Sequence, residues 1–81
     1  MKILYFAWLK NKIGKNSDEL NMDFDSVNDL VNHLKSTGDN YKDAFNDINV
    51  IKVSINCEFA KLTDPVKSGD EVAFFPPITG G

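Results

Sequence analysis

The sequence predicts an α+β domain in which one main helix lies across one face of a single β-sheet. Three observations support this class. Branched and aromatic segments with strand character occur near both ends of the 81-residue chain. One amphipathic helix separates two early strands from three later ones. Turn-forming residues mark the other boundaries, so the predicted order is strand, strand, helix, strand, short strand, strand.

Two strands and a loop are predicted before the helix. Residues 3–8 (Ile-Leu-Tyr-Phe-Ala-Trp) lack polar alternation, which predicts a strand contacted on both faces. Residues 12–18, centred on Gly14, predict a loop. In residues 20–24, leucine, methionine and phenylalanine alternate with polar residues, which is the period-2 pattern of a half-buried strand.

The main helix is predicted to begin after Ser26, which can act as its N-cap. Asp29 lies three residues later and completes a weak capping box. Gly38 is expected to end the helix at the C′ position. The apolar residues fall at i, i+3, i+4 and i+7 and form one stripe: Val27, Leu30, Val31 and Leu34.

A short helical turn and three strands are predicted in the second half of the chain. The turn covers residues 41–47, with Ala44 and Phe45 pointing inward. The strands cover residues 51–55, 57–60 and 71–75. Pro76 follows the last strand directly and ends it.

Composition argues against several classes of protein. Nine lysines, no arginine and 12 acidic residues give a net charge of −3, whereas a nucleic-acid binder normally has a basic surface. Cys57 is the only cysteine and His33 the only histidine, so neither an internal disulfide nor a His/Cys metal site is expected. The apolar run at residues 3–9 is too short to span a membrane. We therefore expect a cytoplasmic protein that binds no metal, nucleic acid or membrane.

The last residues are predicted to form a thin, extended tail directly after the final strand. Pro76 and Pro77 favour an extended polyproline path. The six residues after Phe75 can reach roughly 15–20 Å. The two terminal glycines have no side chain, so this backbone fits a narrow channel. We expect a domain at residues 1–76 and a flexible, extended tail at residues 77–81.

The tail carries a resemblance to a known family. Residues 69–81 (Gly-Asp-Glu-Val-Ala-Phe-Phe-Pro-Pro-Ile-Thr-Gly-Gly) resemble the C-terminal signature of the small, sulfur-carrying subunit of molybdopterin synthase, a ubiquitin-like β-grasp family. The resemblance covers essentially the whole chain. Weaker matches occur in the same order at Phe6 and Ala7, Gly14, Ser26 and Val27, and residues 53–56. Lys10 and Asn11 depart from the pattern, because many members have Arg-Glu there.

The resemblance implies chemistry at the carboxylate of Gly81. An E1-like adenylyltransferase would use ATP and magnesium to form an acyl-adenylate, and a persulfide sulfur donor would convert this to a thiocarboxylate. The charged tail would enter the large synthase subunit, within a heterotetramer of two small and two large subunits, and donate sulfur to cyclic pyranopterin monophosphate. The chain itself would bind no cofactor and, in isolation, would not be an enzyme.

Alternation predicts which side chains face a partner. If Val72 and Phe74 face the helix, Phe75 and Phe6 face the opposite side of the sheet, and Phe59 on the short strand can join them. An uncovered apolar patch beside the tail is typical of a binding face. The predicted partner-binding residues are Phe6, Phe59, Phe75, Pro76, Pro77, Ile78, Thr79 and Gly80.

Two other functions stay open on the residues alone. The chain could be a sulfur carrier of another pathway, such as thiazole synthesis, although such tails resemble this one poorly. It could also be a ubiquitin-like modifier joined to lysines through Gly81. Cys57 is better explained as a turn or packing residue and His33 as a surface residue. A solvated face best explains the aspartates at i, i+4 and i+8, which are Asp39, Asp43 and Asp47.

Overall fold

The structure, a computed structural model, describes residues 1–77. The strands are β1 (Lys2–Tyr5), β2 (Ser17–Glu19), β3 (Lys52–Ile55), β4 (Glu58–Ala60) and β5 (Glu71–Phe75). The helices are α1 (Trp8–Ile13), α2 (Val27–Lys35) and α3 (Asp39–Ala44), with a 3-10 turn at Ile48–Val50. The predicted α+β class is confirmed.

The first and last strands lie side by side at the centre of a mixed sheet, whose order is β2-β1-β5-β3-β4. Strands β1 and β5 are parallel, with Ile3 opposite Val72 and Tyr5 opposite Phe74. The other three strand pairs are antiparallel. Because β5 is central, the chain leaves the sheet from its middle rather than from an outer edge.

One hydrophobic core lies between the sheet and the helices. Helix α2 buries the whole predicted apolar stripe. The central strands bury Val72 and Phe74, as alternation predicted, together with Ile3 and Tyr5. Phe45, just after α3, is also buried and meets the ring of Phe74 edge-on at a centroid distance of 5.0 Å. The side chains between these strand residues stay exposed or half-buried.

Helix α2 begins where the sequence predicts, but its end differs. The Ser26 hydroxyl oxygen accepts a hydrogen bond from the Asp29 N–H at 3.1 Å. The predicted role of Gly38 is wrong, because its φ of 177° is extended backbone and it is the N-cap of α3. The hydroxyl groups of Ser36 and Thr37 donate to carbonyls of the last turn of α2. These bonds satisfy carbonyl groups at the C-terminus of α2, so the helix ends without a glycine in the left-handed conformation.

The predicted strand over residues 3–8 is wrong beyond Tyr5. Helix α1 starts three residues later, at Trp8, and buries Leu9 and Ile13, whose i, i+4 spacing suits one helical face. Gly14 ends α1 in the left-handed region (φ 90°) and donates its N–H to a carbonyl of α1 at 2.8 Å. The junction between β1 and α1 cannot be recognised in the sequence. The outward-facing aromatic residues there continue the apolar run, so the segment has the same pattern as a strand that is buried on both faces.

The predicted second strand at residues 20–24 is displaced, and part of the predicted loop is strand instead. Strand β2 lies earlier in the chain and pairs with β1, with Asp18 opposite Ile3. The polar β2 is possible because tyrosine hydroxyls and a lysine satisfy the Asp18 carboxylate. Leu20 and Phe24 of the predicted strand pack on the core from a loop, whereas Met22 is exposed. Phe24 there forms one isolated bridge with Val66.

The last three strands match their predicted positions closely, except that Cys57 belongs to a turn. Asn56 and Cys57 have φ angles of 52° and 69° and connect β3 to β4 as a two-residue hairpin. The Asn56 side chain also ties this turn to β5. Its amide nitrogen donates to Asp70 at 2.9 Å, and its amide oxygen accepts the N–H of Glu71 at 3.0 Å.

Candidate functional site

The outer face of the sheet, formed by the outward side chains of β1, β5, β3 and β4, is the candidate site. Cross-strand pairing places Leu4 beside Ala73 and Phe75 beside Lys52. The rings of Phe59 and Phe75 lie 6.0 Å apart between centroids. Apolar side chains of β1, β5 and β4 therefore lie on one surface, on the opposite side from the core, and β3 contributes Lys52 and Ser54 to it.

The predicted orientation of the three outward phenylalanines is confirmed. Phe6 is 48% exposed and Phe59 is 85% exposed, whereas Phe75 between them is half-buried. Exposed phenylalanine rings that lie close together are unusual on a solvated surface and mark interaction sites. Their role in binding a partner stays a prediction.

Phe75 separates two grooves on the outer face. The first has a volume of about 520 Å³ and is lined by residues that include Leu4, Phe6, Ala7, Cys57, Ala73 and Pro76. The second has a volume of about 460 Å³ and is lined by residues that include Lys52, Phe59 and Pro77. Because Phe75 lines both grooves, its ring is the centre of the apolar surface.

The chain leaves the sheet at this same place. Phe75 ends β5, and Pro76 and Pro77 follow outside any helix or strand. The Phe6 N–H donates to the Phe74 carbonyl at 3.1 Å, so β1 supports the last residues of β5. The predicted site residues Ile78, Thr79, Gly80 and Gly81 lie outside the described residues.

The other end of the outer face is charged. Lys2 on β1 is opposite Glu19 on β2 and opposite Glu71 on β5. All three side chains are exposed. The face therefore changes from alternating charges at one end to aromatic side chains at the end where the tail begins.

A separate polar cluster joins β1, β2 and α3 around Asp18. Its carboxylate accepts hydrogen bonds from Tyr5 at 2.9 Å, from Tyr41, and from Lys15 at 3.0 Å. Burial acts to raise the pKa of Asp18, but the bonds from Tyr41, Lys15 and Tyr5 outweigh it and lower that pKa overall. Burial, with the adjacent carboxylate, raises the pKa of Tyr5 far above its ordinary value of 10.0. The members of the cluster satisfy one another's hydrogen bonds, which is typical of a structural role rather than of proton transfer.

The other candidate residues from the sequence do not come together on the outer face to form a reactive group. Cys57 is exposed in its hairpin turn, at the margin of the larger groove. His33 packs on the ring of Phe24 at 5.5 Å. Asp47 caps the 3-10 turn by accepting the N–H of Asn49 at 3.2 Å. Within residues 1–77 no group of three metal-ligating side chains comes together, and no helix is long and apolar enough to cross a membrane.

Sequence reasoning missed three members of the outer face. Leu4 and Ala73 are the outward residues between inward neighbours on β1 and β5, so strict alternation could have found both. Ala7 could not be found in this way, because residue 7 follows the end of β1 and is not part of the alternating pattern.

Comparison with known proteins identifies the family. The sequence profile described as the ThiS family matches residues 3–81. The chain belongs to the ThiS family. Two curated relatives, from Escherichia coli (strain K12) and Haemophilus influenzae, are each named molybdopterin synthase sulfur carrier subunit. They are 35% and 37% identical over 81 residues, which cover 100% of this chain and 99% of each relative. The resemblance read from the tail is confirmed.

Solved structures confirm the β-grasp prediction for this ThiS-family chain. Small archaeal modifier protein 1 from Haloferax volcanii superposes with a TM-score of 0.79 and 30% identity, covering 96% of this chain and 97% of that one. A complex of subunits 1 and 2 of molybdopterin-converting factor from Helicobacter pylori superposes with a TM-score of 0.61. It is 22% identical and covers 99% of this chain and 96% of that one, which shows the shared fold alone.

Proposed function

We propose that this chain is the sulfur-carrier subunit of a molybdopterin synthase and that it carries sulfur on the carboxylate of Gly81. The identity to two sulfur carrier subunits over the full length of the chain is the observation that supports this most strongly. The position of the outer face supports it as well, because aromatic side chains surround the point where the tail begins.

The proposed chemistry takes place at one carbon atom. An E1-like adenylyltransferase joins the Gly81 carboxylate to AMP and releases pyrophosphate from ATP, with magnesium as the metal of that enzyme. The terminal sulfur of a donor persulfide then attacks the acyl carbon and displaces AMP. Cleavage of the donor S–S bond by a thiol leaves a thiocarboxylate, whose sulfur is ionised and nucleophilic near neutral pH.

The large synthase subunit is the proposed partner of the outer face. Phe75, with Phe6 and Phe59 on either side, provides the apolar contact, and the tail from Pro76 onward enters the partner's pocket. There the sulfur attacks cyclic pyranopterin monophosphate, and hydrolysis of the resulting thioester leaves the sulfur on the product and restores the Gly81 carboxylate. The large subunit supplies the acid and base groups, so this chain acts as a substrate-like carrier in a two-plus-two heterotetramer rather than as an enzyme.

Reconstitution tests the proposal directly. The chain is incubated with an E1-like adenylyltransferase, ATP, magnesium and a persulfide donor, and its intact mass is measured. We expect one oxygen to be replaced by sulfur and the product to convert cyclic pyranopterin monophosphate when a large subunit is added. A chain that lacks Gly81 is the matched control and should do neither. Conversion by the truncated chain would refute the proposal.

One observation favours a second function, which is conjugation to lysines as a ubiquitin-like modifier. The Haloferax volcanii protein that is 30% identical to this chain is named a modifier protein. Adenylation of the terminal glycine is common to both functions, so only the fate of Gly81 separates them. Isopeptide-linked Gly81 on cellular proteins, found by mass spectrometry of affinity-purified chain, would support the modifier; its absence alongside thiocarboxylate would support the carrier.

A further inference from the structure

Ala7 joins β1 to α1 with a backbone conformation that L-residues rarely adopt. Its φ is 55° and its ψ is −134°. These angles are close to the mirror image of the polyproline conformation, which is favourable for an L-residue only at negative φ. The Cβ of an L-alanine is crowded by the backbone here, whereas glycine or a D-residue would be accommodated without strain.

This one residue carries the chain from the sheet into helix α1. The Phe6 N–H makes the last hydrogen bond to β5, and the Ala7 carbonyl already accepts from the N–H groups of Lys10 at 3.1 Å and Asn11 at 3.4 Å. The sheet ladder therefore stops at one residue and α1 begins immediately after the next. With this junction, Leu9 is buried in the core while the ring of Phe6 remains on the outer face.

The strained positions in the described chain are concentrated at the larger groove. Four residues have positive φ: Ala7, Gly14, Asn56 and Cys57. Glycine and asparagine tolerate such angles, but alanine and cysteine do not favour them. The alanine and the cysteine both line the groove beside Phe75. Backbone strain that the surrounding fold maintains is often found at binding sites, where it holds groups in place before a partner arrives.

We infer that Ala7 is a positioning residue for the outer face. The hydrogen bonds on both sides of Ala7 hold it in this one conformation, and its methyl group excludes many of the other angles that glycine could adopt. That conformation presents Phe6 to the large subunit in its bound orientation. The inference rests on the proposed function, because it assigns Ala7 a role in that same docking event. Glycine at this position would relieve the strain but free the Phe6–Ala7 backbone, so stability and affinity should change in opposite directions.

Three chains that differ at position 7 separate rigidity from strain and from direct contact. They carry L-alanine, glycine (Ala7→Gly) and D-alanine, respectively. The D-alanine chain can be prepared by chemical ligation at the Asn56–Cys57 junction, because the thiol of Cys57 allows that reaction. D-alanine favours the observed angles and remains restricted. The measurements are the thermal midpoint of each chain and its affinity for the large subunit by titration calorimetry.

We expect both substitutions to raise the thermal midpoint, with D-alanine raising it by roughly 5–10 °C. We expect Ala7→Gly to bind about two- to fivefold more weakly than the natural chain and the D-alanine chain to bind at least as tightly as the natural chain. Equal affinity of all three chains would overturn the positioning role. Weaker binding by both variants would overturn it in favour of direct contact by the methyl group. An unchanged thermal midpoint would show that Ala7 is not strained.

The same titration separates this inference from the proposed function. If the natural chain itself does not bind the large subunit, the proposed function fails. If the natural chain binds and its variants bind equally, only the role of Ala7 fails. Phe6→Ala provides the positive control, because removal of the ring that Ala7 is inferred to position should weaken binding by more than Ala7→Gly does.

Discussion

At the scale of single residues, Asp18 shows how a polar side chain is accommodated on the inner side of a small sheet. Its carboxylate accepts hydrogen bonds from two tyrosine hydroxyls and one lysine ammonium group. These donors lie on β1, on α3 and in the turn before β2. Hydrogen bonds to a charged group are stronger than neutral ones. The cluster therefore fastens the edge strand β2 to the rest of the molecule.

The lowered pKa of Asp18 predicts an acid-dependent loss of stability. A carboxyl group with a folded-state pKa below its unfolded value of 3.8 stabilises the fold above that pH, and the contribution disappears as pH falls through the lower folded value. We expect Asp18→Asn to cost about 1–3 kcal/mol at pH 7. The difference from the natural chain should shrink below pH 3.8. Urea titrations across pH 2–7 measure this.

The exposed Asp25 provides the matched control for that experiment. Asp25→Asn should change the free energy of unfolding by less than about 0.5 kcal/mol at every pH. A difference between Asp18→Asn and the natural chain that persisted unchanged at low pH would contradict a charged role for Asp18.

The two tyrosines of the cluster affect stability at high pH instead. Because the pKa values of Tyr5 and Tyr41 are raised, their contribution is present below pH 10 and is lost as pH rises further.

At the scale of one element, β5 combines a core residue and a surface residue of the same type at adjacent positions. Phe74 is fully buried against Phe45, whereas Phe75 lies half-buried on the outer face. The period of two in a strand requires neighbours to face opposite sides. One pair of substitutions can therefore separate folding from binding within a single strand.

We expect Phe74→Ala to lower the free energy of unfolding by about 3–5 kcal/mol, because it leaves a cavity in the core. Phe75→Ala should cost only about 1 kcal/mol, since the ring is already partly in water. For large-subunit affinity we expect Phe75→Ala to cause a loss of about 30-fold or more, as for a central interface residue. Denaturant melts and calorimetric titrations give both quantities. Unchanged affinity of a folded Phe75→Ala chain would remove Phe75 from the interface.

At the scale of the whole molecule, the central position of β5 determines how the carrier can work. The parallel pairing of β1 with β5 holds the last strand between two neighbours. The tail therefore starts from the most firmly bonded part of the sheet. The rings of Phe6, just after β1, and of Phe59 on β4 lie beside it and are available to a partner at the same time.

Residues 1–77 contain a buried apolar core, and Gly81 has no side chain to add to it, so we predict that the terminal residue has little part in stability. Deletion of Gly81 should shift the thermal midpoint by less than about 2 °C, while it abolishes sulfur loading. Calorimetry of the truncated and full-length chains measures the first effect, and intact mass after reconstitution measures the second. Loss of folding in the truncated chain would contradict this division between domain and working end.

The sequence by itself determined the features that depend on local periodicity or on a contiguous motif. The stripe of α2, the alternation of β3 and β5, and the terminal Phe-Phe-Pro-Pro-Ile-Thr-Gly-Gly segment could all be read directly, and the family follows from them. Alternation also gave the outward orientation of Phe6 and Phe75. The helix stripe and the strand alternation are predictable because each results from the burial of one regular element against a single surface. The terminal segment is predictable because its motif is contiguous in the sequence.

Only the tertiary structure decided the short elements and the special backbone positions. Helix α1 and strand β2 are six and three residues long, too short for periodicity to identify, and their conformations depend on contacts with distant residues. Asp18 is tolerated in β2 because Tyr41, 23 residues away in sequence, bonds to it. The turn at Ala7 exists because one residue must end a strand and begin a helix that returns to the core. Local sequence does not specify these contacts, since their stabilising partners come together only when the sheet has formed.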